Sequence, residues 1–227
     1  KKTSSFADKF STLELSLHGV RLPSFKIEKK HKRAIGLSED VTNEEFLKGL
    51  CEDGREKIWS SIHKKHKSEY ARRLIYELET IEELGFVDYI LLVWDVINFC
   101  KQNKIPTGFG RGSAAGSLVL YLIGVTKIDP LEYGLFFERF ISKTRAKKQV
   151  VDGVTYLDGS LMCDVDIDIC YYNRHRVLDY LRDKFAGNTC KIITLNSLTS
   201  KLLVKECGKI VAGKTEQDMD IVSSLIP

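Results

Sequence analysis

The sequence lacks several features that would place it in a common special class. Its six cysteines form no C-x-x-C pair and no His/Cys cluster at zinc spacing, so reduced thiols in the cytoplasm are expected rather than disulfides or structural zinc. No apolar run reaches the roughly 18 uninterrupted residues that a membrane helix needs. Nothing at the N-terminus resembles a signal peptide, and the first residue is Lys rather than Met, which indicates a processed piece or a fragment. A membrane partner is therefore not expected.

A strong excess of one charge is also missing, because the net charge is only +4. The basic residues are unevenly distributed, however, and concentrate in four runs at residues 26–33, 63–67, 142–148 and 173–176. Any single run is explained best as a solvated loop or helix face. Four runs together make a polyanionic partner worth testing.

Helical periodicity is present in several segments, and no internal repeat or low-complexity linker interrupts them. Residues 68–85 predict a helix that ends at Gly85, and residues 87–103 predict a central helix that is apolar on most faces. A further helix is predicted after the glycine-rich loop, with Ser113 as its N-cap. Asp129, followed by Pro and by Glu three residues later, predicts the start of the helix that contains "YGLFFERF".

Strand patterns alternate with these helices. An N-terminal strand precedes an exposed basic loop, and "QVVDGVTY" has the Asp-Gly signal of a hairpin. Further strands are predicted at residues 161–170 and 190–195, and further helices at residues 173–185 and from about Ser197. This alternation predicts a mixed α/β or α+β fold.

The segment "LMCDVDIDIC" carries three aspartates that alternate with apolar residues. In a strand this period would place Asp164, Asp166 and Asp168 on one face, where like charges repel unless a cation lies between them. An acidic edge strand is the simpler alternative. Lysine, however, is the residue that usually protects an edge strand from pairing. A D-x-D pattern instead offers the carboxylate oxygens that Mg²⁺ prefers. Pairs of Mg²⁺ ions support nucleotidyl transfer.

The segment "GFGRGSAAGS", residues 108–117, has the composition of a phosphate-binding loop. Its glycines allow backbone N–H groups to face one anion, and Ser113 and Arg111 add a hydroxyl and a bidentate cation. The pattern is neither a Walker loop nor a dinucleotide fingerprint. A tight strand-to-helix turn, with Gly116 for close packing, explains it equally well in isolation. Its occurrence together with D-x-D favours a phosphate site of a nucleotidyltransferase.

The chain resembles the C-family replicative DNA polymerases, which include the bacterial DNA polymerase III alpha subunit. The resemblance rests on four blocks in the same order: the glycine-rich segment, "IDPLEYGLFFERF", the acidic segment and "KIITLNSLTSKLLVKECGKI". The resemblance covers nearly all of the chain. It implies a polymerase-beta-like nucleotidyltransferase palm over residues 1–194, of mixed α+β class, and the beginning of a helical thumb over residues 195–227. It also implies primer-template DNA and deoxynucleoside triphosphates as partners, with a sliding clamp bound through regions outside this chain.

The resemblance also assigns expected roles to individual residues. Asp164 and Asp166 match the catalytic aspartates that hold two Mg²⁺ ions, whereas Asp168 matches an acidic position that is not a metal ligand. The remaining matches are contacts to the incoming nucleotide, namely Gly112, Ser113, Arg139 and Arg145, and contacts to DNA, namely Lys201, Lys205 and Lys209. For the three lysines, which recur every four residues, a solvated helix face is an equally good interpretation.

Some features depart from the family pattern. Cys163 stands where the family usually has proline, and residues 141–160 form an insertion, which favours a divergent, phage-encoded member. The family's third catalytic aspartate is expected beyond Pro227. Two alternatives therefore stay open: a template-independent nucleotidyltransferase, whose two motifs usually lie closer together, and a catalytically silent DNA-binding remnant of a polymerase.

Overall fold

The structure is a computed structural model of the chain, and helices predominate in the part that it describes. The residues described are 20–21, 24–143, 148–151, 154–157, 163–193, 195 and 197–226. The helices are α1 (Lys29–Ala34), α2 (Asn43–Trp59), α3 (Lys67–Leu84), α4 (Val87–Gln102), α5 (Leu118–Leu122), α6 (Arg174–Lys184), α7 (Ser200–Ile210) and α8 (Glu216–Ser224). The strands are β1 (Val20–Arg21), β2 (Lys148–Val151) and β3 (Val154–Leu157).

The chain divides into two compact units, residues 1–184 and 185–227, which are described separately. The predicted division at residue 194 stays a prediction. None of the described helices is both long and apolar enough to cross a bilayer.

The three short strands form one antiparallel sheet in the order β1-β3-β2. The predicted hairpin is confirmed, because β2 pairs with β3 and Val151 lies opposite Val154, while the Asp-Gly turn itself lies outside the described residues. No larger mixed sheet of the kind expected for a palm is found among the described residues. The predicted basic loop near the N-terminus is wrong in part, since α1 lies within it.

The core of the first unit is built around α4. As predicted, this helix is buried on most faces, and α3 ends where Gly85 adopts a left-handed conformation with φ +77°. The helix α2, which is not among those predicted, begins with a capping box between Thr42 and Glu45. It packs on α4 through Phe46, whose ring meets that of Trp94 edge to face at 5.4 Å.

The helix after the glycine-rich loop begins later than predicted. Residues 112–116 form a 3-10 helix, and Ser117 rather than Ser113 is the N-cap of α5, accepting a hydrogen bond from the N–H of Leu120 at 3.2 Å. The reason is a buried carboxylate, described below, that already accepts from the first N–H groups of α5. Gly124, at φ +76°, lies just beyond the end of α5.

The helix predicted from Asp129 is wrong, although its start signal forms. The Asp129 carboxylate accepts from the N–H of Leu131 at 3.0 Å, as a cap would. Only turns follow, because Gly134 adopts φ +61° and breaks the helical run. A short 3-10 helix then covers Phe137–Arg139.

The acidic segment pairs over a much shorter length than predicted. Residues 163–168 lie in no strand, and pairing is limited to a bridge between Thr107 and Ile169. The Gly108 N–H donates to the Asp168 carbonyl at 2.9 Å beside this bridge. The strand predicted at residues 190–195 is also wrong where it is described, because Ile192 and its neighbours are exposed and lie in no strand.

The second unit is a helical pair. The predicted helix there begins at Ser200, after its N-cap Thr199, and α8 begins with a capping box between Thr215 and Asp218. The two helices pack closely at Gly208, where a Cβ would collide with the sulfur of Met219.

Candidate active site

The structure brings the glycine-rich loop against the acidic segment, although the two are far apart in the sequence. Gly112 has φ +65°, and a Cβ placed there would lie 3.3 Å from Oδ2 of Asp166. A Cβ at Gly108 would lie 3.0 Å from the Cβ of Asp168. Larger residues at either position would therefore crowd the aspartates, which explains glycine at both sites.

Arg111 lies between two of the three aspartates. Its guanidinium is 3.5 Å from Oδ1 of Asp166 and 3.5 Å from Oδ1 of Asp168, and its side chain is 60% exposed. Exposed pairs at such distances stabilise a fold by about 1 kcal/mol at most. The guanidinium and the carboxylates are thus open to exchange these contacts for a phosphate group and a cation.

The carboxylates of Asp164 and Asp166 are exposed and offer oxygen ligands only, which is the donor type that Mg²⁺ prefers. Within the described part of the chain, the one group of three potential ligands with donor atoms inside 4.8 Å is Glu28, His31 and Asp95. Lys184 already places its ammonium 2.7 Å from Asp95 and 3.2 Å from Glu28. The carboxylates of Glu28 and Asp95 are therefore already paired with the Lys184 ammonium.

Tyr89 of α4 supports the acidic segment from behind. Its hydroxyl accepts a hydrogen bond from the N–H of Val165, the residue between the two candidate ligands, at 3.2 Å. Burial raises the pKa of Tyr89 to about 12, and neighbouring Cys163 adds to the shift. Cys163 is itself buried, which raises the pKa of its thiol to about 12, so this side chain belongs to the core. Tyr89 was missed by sequence reasoning, although a phenol within an otherwise apolar helix is a recognisable signal.

Glu77 of α3 supports the glycine-rich loop from inside the protein. Its fully buried carboxylate accepts from the Ser117 hydroxyl at 2.8 Å and from the N–H groups of Leu118 and Val119 at 3.0 Å each. Burial raises the pKa of this carboxyl, against the effect of those N–H groups and of Arg73. Glu77 therefore caps α5 from another helix.

Arg73 completes this network. Its Nε donates to Glu77 at 2.6 Å, and the same guanidinium donates to the carbonyls of Gly116 at 2.8 Å and Leu135 at 3.1 Å. The pair thereby joins the end of the glycine-rich loop to the turn that leads to Arg139. Sequence reasoning missed Glu77 too, although it lies three residues after Leu74 and so falls in the apolar stripe of α3.

The predicted nucleotide contacts lie on neighbouring elements. Ser113 is half-buried in the 3-10 helix of residues 112–116, and Arg139 is exposed on the 3-10 helix of residues 137–139. These two short helices are in contact, and a Cβ at Gly116 would lie 2.6 Å from the carbonyl oxygen of Phe136. Arg145 lies outside the described residues.

The predicted DNA contacts lie together on α7, but two of them have acidic partners. Lys205 pairs with Asp220, and Lys209 lies 2.9 Å from Glu206 and 3.6 Å from Glu216. Lys201 is exposed and makes no ion pair within the described part of the unit. Their role in DNA binding stays a prediction.

Glycine N–H groups and an arginine beside exposed aspartates define a candidate site for a nucleotide phosphate and a cation. The chain belongs to the bacterial DNA polymerase III alpha family, since the family model described as "Bacterial DNA polymerase III alpha NTPase domain" matches residues 45–227. The predicted family is thereby confirmed.

Individual relatives agree with this family. The chain is 39% identical to the DNA polymerase III subunit alpha of Aquifex aeolicus over 83% of its length and 15% of that relative. The subunit of Halalkalibacterium halodurans is 34% identical over 93% of the chain and 17% of the relative. The subunit of Helicobacter pylori is 33% identical over 100% of the chain and 18% of the relative. The chain thus spans under a fifth of these relatives' length. A phage origin stays a prediction.

Proposed function

We propose that this chain forms part of the active centre of a DNA-directed DNA polymerase that acts in the cytoplasm during replication. The observation that carries the proposal is the position of Gly112 against Asp166, with Arg111 between Asp166 and Asp168. The names of the relatives, DNA polymerase III subunit alpha, support the same activity. The substrates would be primer-template DNA and deoxynucleoside triphosphates.

In this proposal Asp164 and Asp166 hold two Mg²⁺ ions, with a third carboxylate supplied by residues outside this chain. When bound, the ions would lower the pKa of the attacking hydroxyl and neutralise charge on the leaving pyrophosphate. The part of the chain that does this is assigned to a polymerase-beta-like palm over residues 1–194. Residues 195–227 are assigned to the start of the thumb, where Lys201 is the lysine best able to contact a DNA phosphate.

The reaction would be an in-line displacement at phosphorus. The primer 3′ oxygen forms a bond to the α-phosphorus and loses its proton, while the bond from that phosphorus to the bridging oxygen breaks and pyrophosphate leaves. The N–H groups of Gly112 and Ser113, together with Arg111, Arg139 and Arg145, would face the triphosphate. Positive groups placed where negative charge builds stabilise the transition state.

The test uses Asp164→Asn in the full-length protein, with Asp179→Asn as a control because Asp179 is exposed and pairs with Arg182. Asp164→Asn is expected to lower primer extension by about 1,000-fold or more, equivalent to roughly 4 kcal/mol, and to leave primer-template binding unchanged. Extension at the wild-type rate would remove Asp164 from the mechanism. Extension without template would favour a template-independent enzyme, and no extension by the wild-type protein would favour a silent remnant.

A further inference from the structure

A pair of exposed tyrosines follows the acidic segment. Tyr171 and Tyr172 are each 83% exposed, and their rings meet edge to face with centroids 5.8 Å apart. Large aromatic side chains gain free energy when they are covered, so adjacent exposed rings are typical of a binding surface.

Several basic residues lie near this pair, at the start of α6 and at the end of α4. Arg174 and His175 follow after Asn173, at the start of α6. Arg176 donates to the side chain of Asn103 at 3.2 Å, which connects α6 to the end of α4 with Lys101 and Lys104. We call the set the tyrosine-basic surface: Tyr171, Tyr172, Arg174, His175, Arg176, Lys101 and Lys104. None of these basic side chains forms an ion pair with the described residues, in contrast to Lys205 and Lys209.

Packing of α6 on α4 does not use the two tyrosines, which are largely exposed. The helix α6 packs on α4 through Val177, which is 2% exposed, and through Tyr180, whose ring stacks on Phe99 at 4.0 Å. Lys184 continues the same face of α6 and bonds to Asp95. His175 lies off this face, and both Arg174 and His175 are exposed.

The tyrosine-basic surface lies close to the candidate active site. Tyr171 follows Asp166 by five residues, a separation of at most about 17 Å at the rise of extended chain. The bridge between Thr107 and Ile169 holds this connection in place. One strand of nucleic acid could therefore contact both places.

We propose that the tyrosine-basic surface binds single-stranded DNA, with bases stacked on Tyr171 and Tyr172 and phosphates facing Arg174 and Lys104. Stacking on aromatic rings tolerates any base, and unneutralised cations complement a polyanion. The identification of the nucleic acid as DNA rests on the proposed function, which this surface extends to the path of the unpaired strand.

The test measures fluorescence anisotropy of a labelled oligo(dT) with the full-length protein, without metal or nucleotide. Tyr171→Ala/Tyr172→Ala is expected to weaken binding by roughly thirty-fold or more, because the loss of each base stack alone weakens it by about five-fold or more. Tyr171→Phe/Tyr172→Phe keeps the rings and is expected to retain binding. Tyr133→Ala is the matched control, because Tyr133 is 66% exposed on another segment.

A second pair of variants tests the charges. Arg174→Gln/Lys104→Gln is expected to reduce the dependence of log affinity on log salt by about 0.7 for each phosphate that is no longer neutralised. Lys64→Gln/Lys65→Gln removes two exposed lysines from another surface and is expected to leave that dependence unchanged. A circular dichroism melt checks that each variant is folded.

Two outcomes would overturn the proposal: no binding of oligo(dT) by the wild-type protein, or unchanged binding when both tyrosines become Ala. Failure of the proposed function looks different. In that case Asp164→Asn would not lower extension, while the tyrosine variants would still weaken binding of the oligonucleotide.

Discussion

The glycine-rich loop lies between two acidic groups that are held in opposite ways. Behind it, Glu77 is fully buried and accepts hydrogen bonds from Arg73, Ser117 and two backbone N–H groups. In front of it, Asp166 is 46% exposed and its cationic neighbour, Arg111, lies at 3.5 Å. A carboxylate of the first kind holds the loop in place, and one of the second kind is available to a ligand.

The difference follows from solvation. A buried charge is tolerated only while it is paired and hydrogen-bonded, so loss of one partner is strongly destabilising. An exposed carboxylate exchanges its contacts with water at little cost and contributes little to folding. Stability and chemistry should therefore respond to different substitutions around the same loop.

The largest effect on stability is expected for Glu77→Ala. It would leave the Arg73 guanidinium and the first N–H groups of α5 without a partner, and should lower the free energy of unfolding by about 3–5 kcal/mol. Urea unfolding and hydrogen exchange of the α5 amides would measure this. Glu79→Ala removes an exposed carboxylate from the same helix and should change stability by about 0.5 kcal/mol at most. If both variants lost the same free energy of unfolding, the buried network around Glu77 would not be the source of the stability.

An intermediate effect is expected for Gly112→Ala, with Gly134→Ala as its match. Both glycines have positive φ, at +65° and +61°, so each substitution should cost about 1–2 kcal/mol of backbone strain. A Cβ at position 134 meets nothing within 4 Å, whereas one at position 112 lies 3.3 Å from Asp166. We expect the two variants to have similar melting temperatures, and we expect primer extension to be slower only for Gly112→Ala. Equal extension rates would contradict a close contact between the loop and Asp166.

The smallest effect on stability is expected for Arg111→Ala. Its ion pairs with Asp166 and Asp168 are long and exposed, so the free energy of unfolding should change by about 1 kcal/mol or less. The apparent affinity for the nucleotide should nevertheless fall, because a phosphate ligand is removed, and steady-state extension at varied nucleotide concentration would measure this. A large loss of stability would mean that Arg111 stabilises the fold, which contradicts a role as a ligand-binding residue.

The sequence predicted those elements whose signals are local. The helices α3, α4 and α6 have clear periodicity, and Gly85 marked an end correctly. The proximity of the glycine-rich loop to the acidic segment was also expected, because a phosphate-binding loop and a cation-binding pair of aspartates act on the same nucleotide. The family followed from ordered blocks of residues and is confirmed.

The errors arose where distant residues decide the local structure. Alternating aspartates imitate a strand, but a strand needs a partner, and within the described residues the acidic segment pairs only at the bridge to Thr107. Ser113 was the predicted cap, but Glu77, 40 positions before Ser117, accepts from the Ser117 hydroxyl and so favours the later start of α5. The start signal at Asp129 formed correctly, but the left-handed Gly134 ended the run.

The position of Arg111 between two aspartates has a consequence for the order of binding. In the proposed function, a cation bound at Asp166 would compete with the guanidinium and free it to turn toward a phosphate. Each ligand would then raise the affinity for the other by the same factor, since such linkage is reciprocal. A single arginine between two carboxylates would thus be enough to make a cation and a nucleotide bind cooperatively.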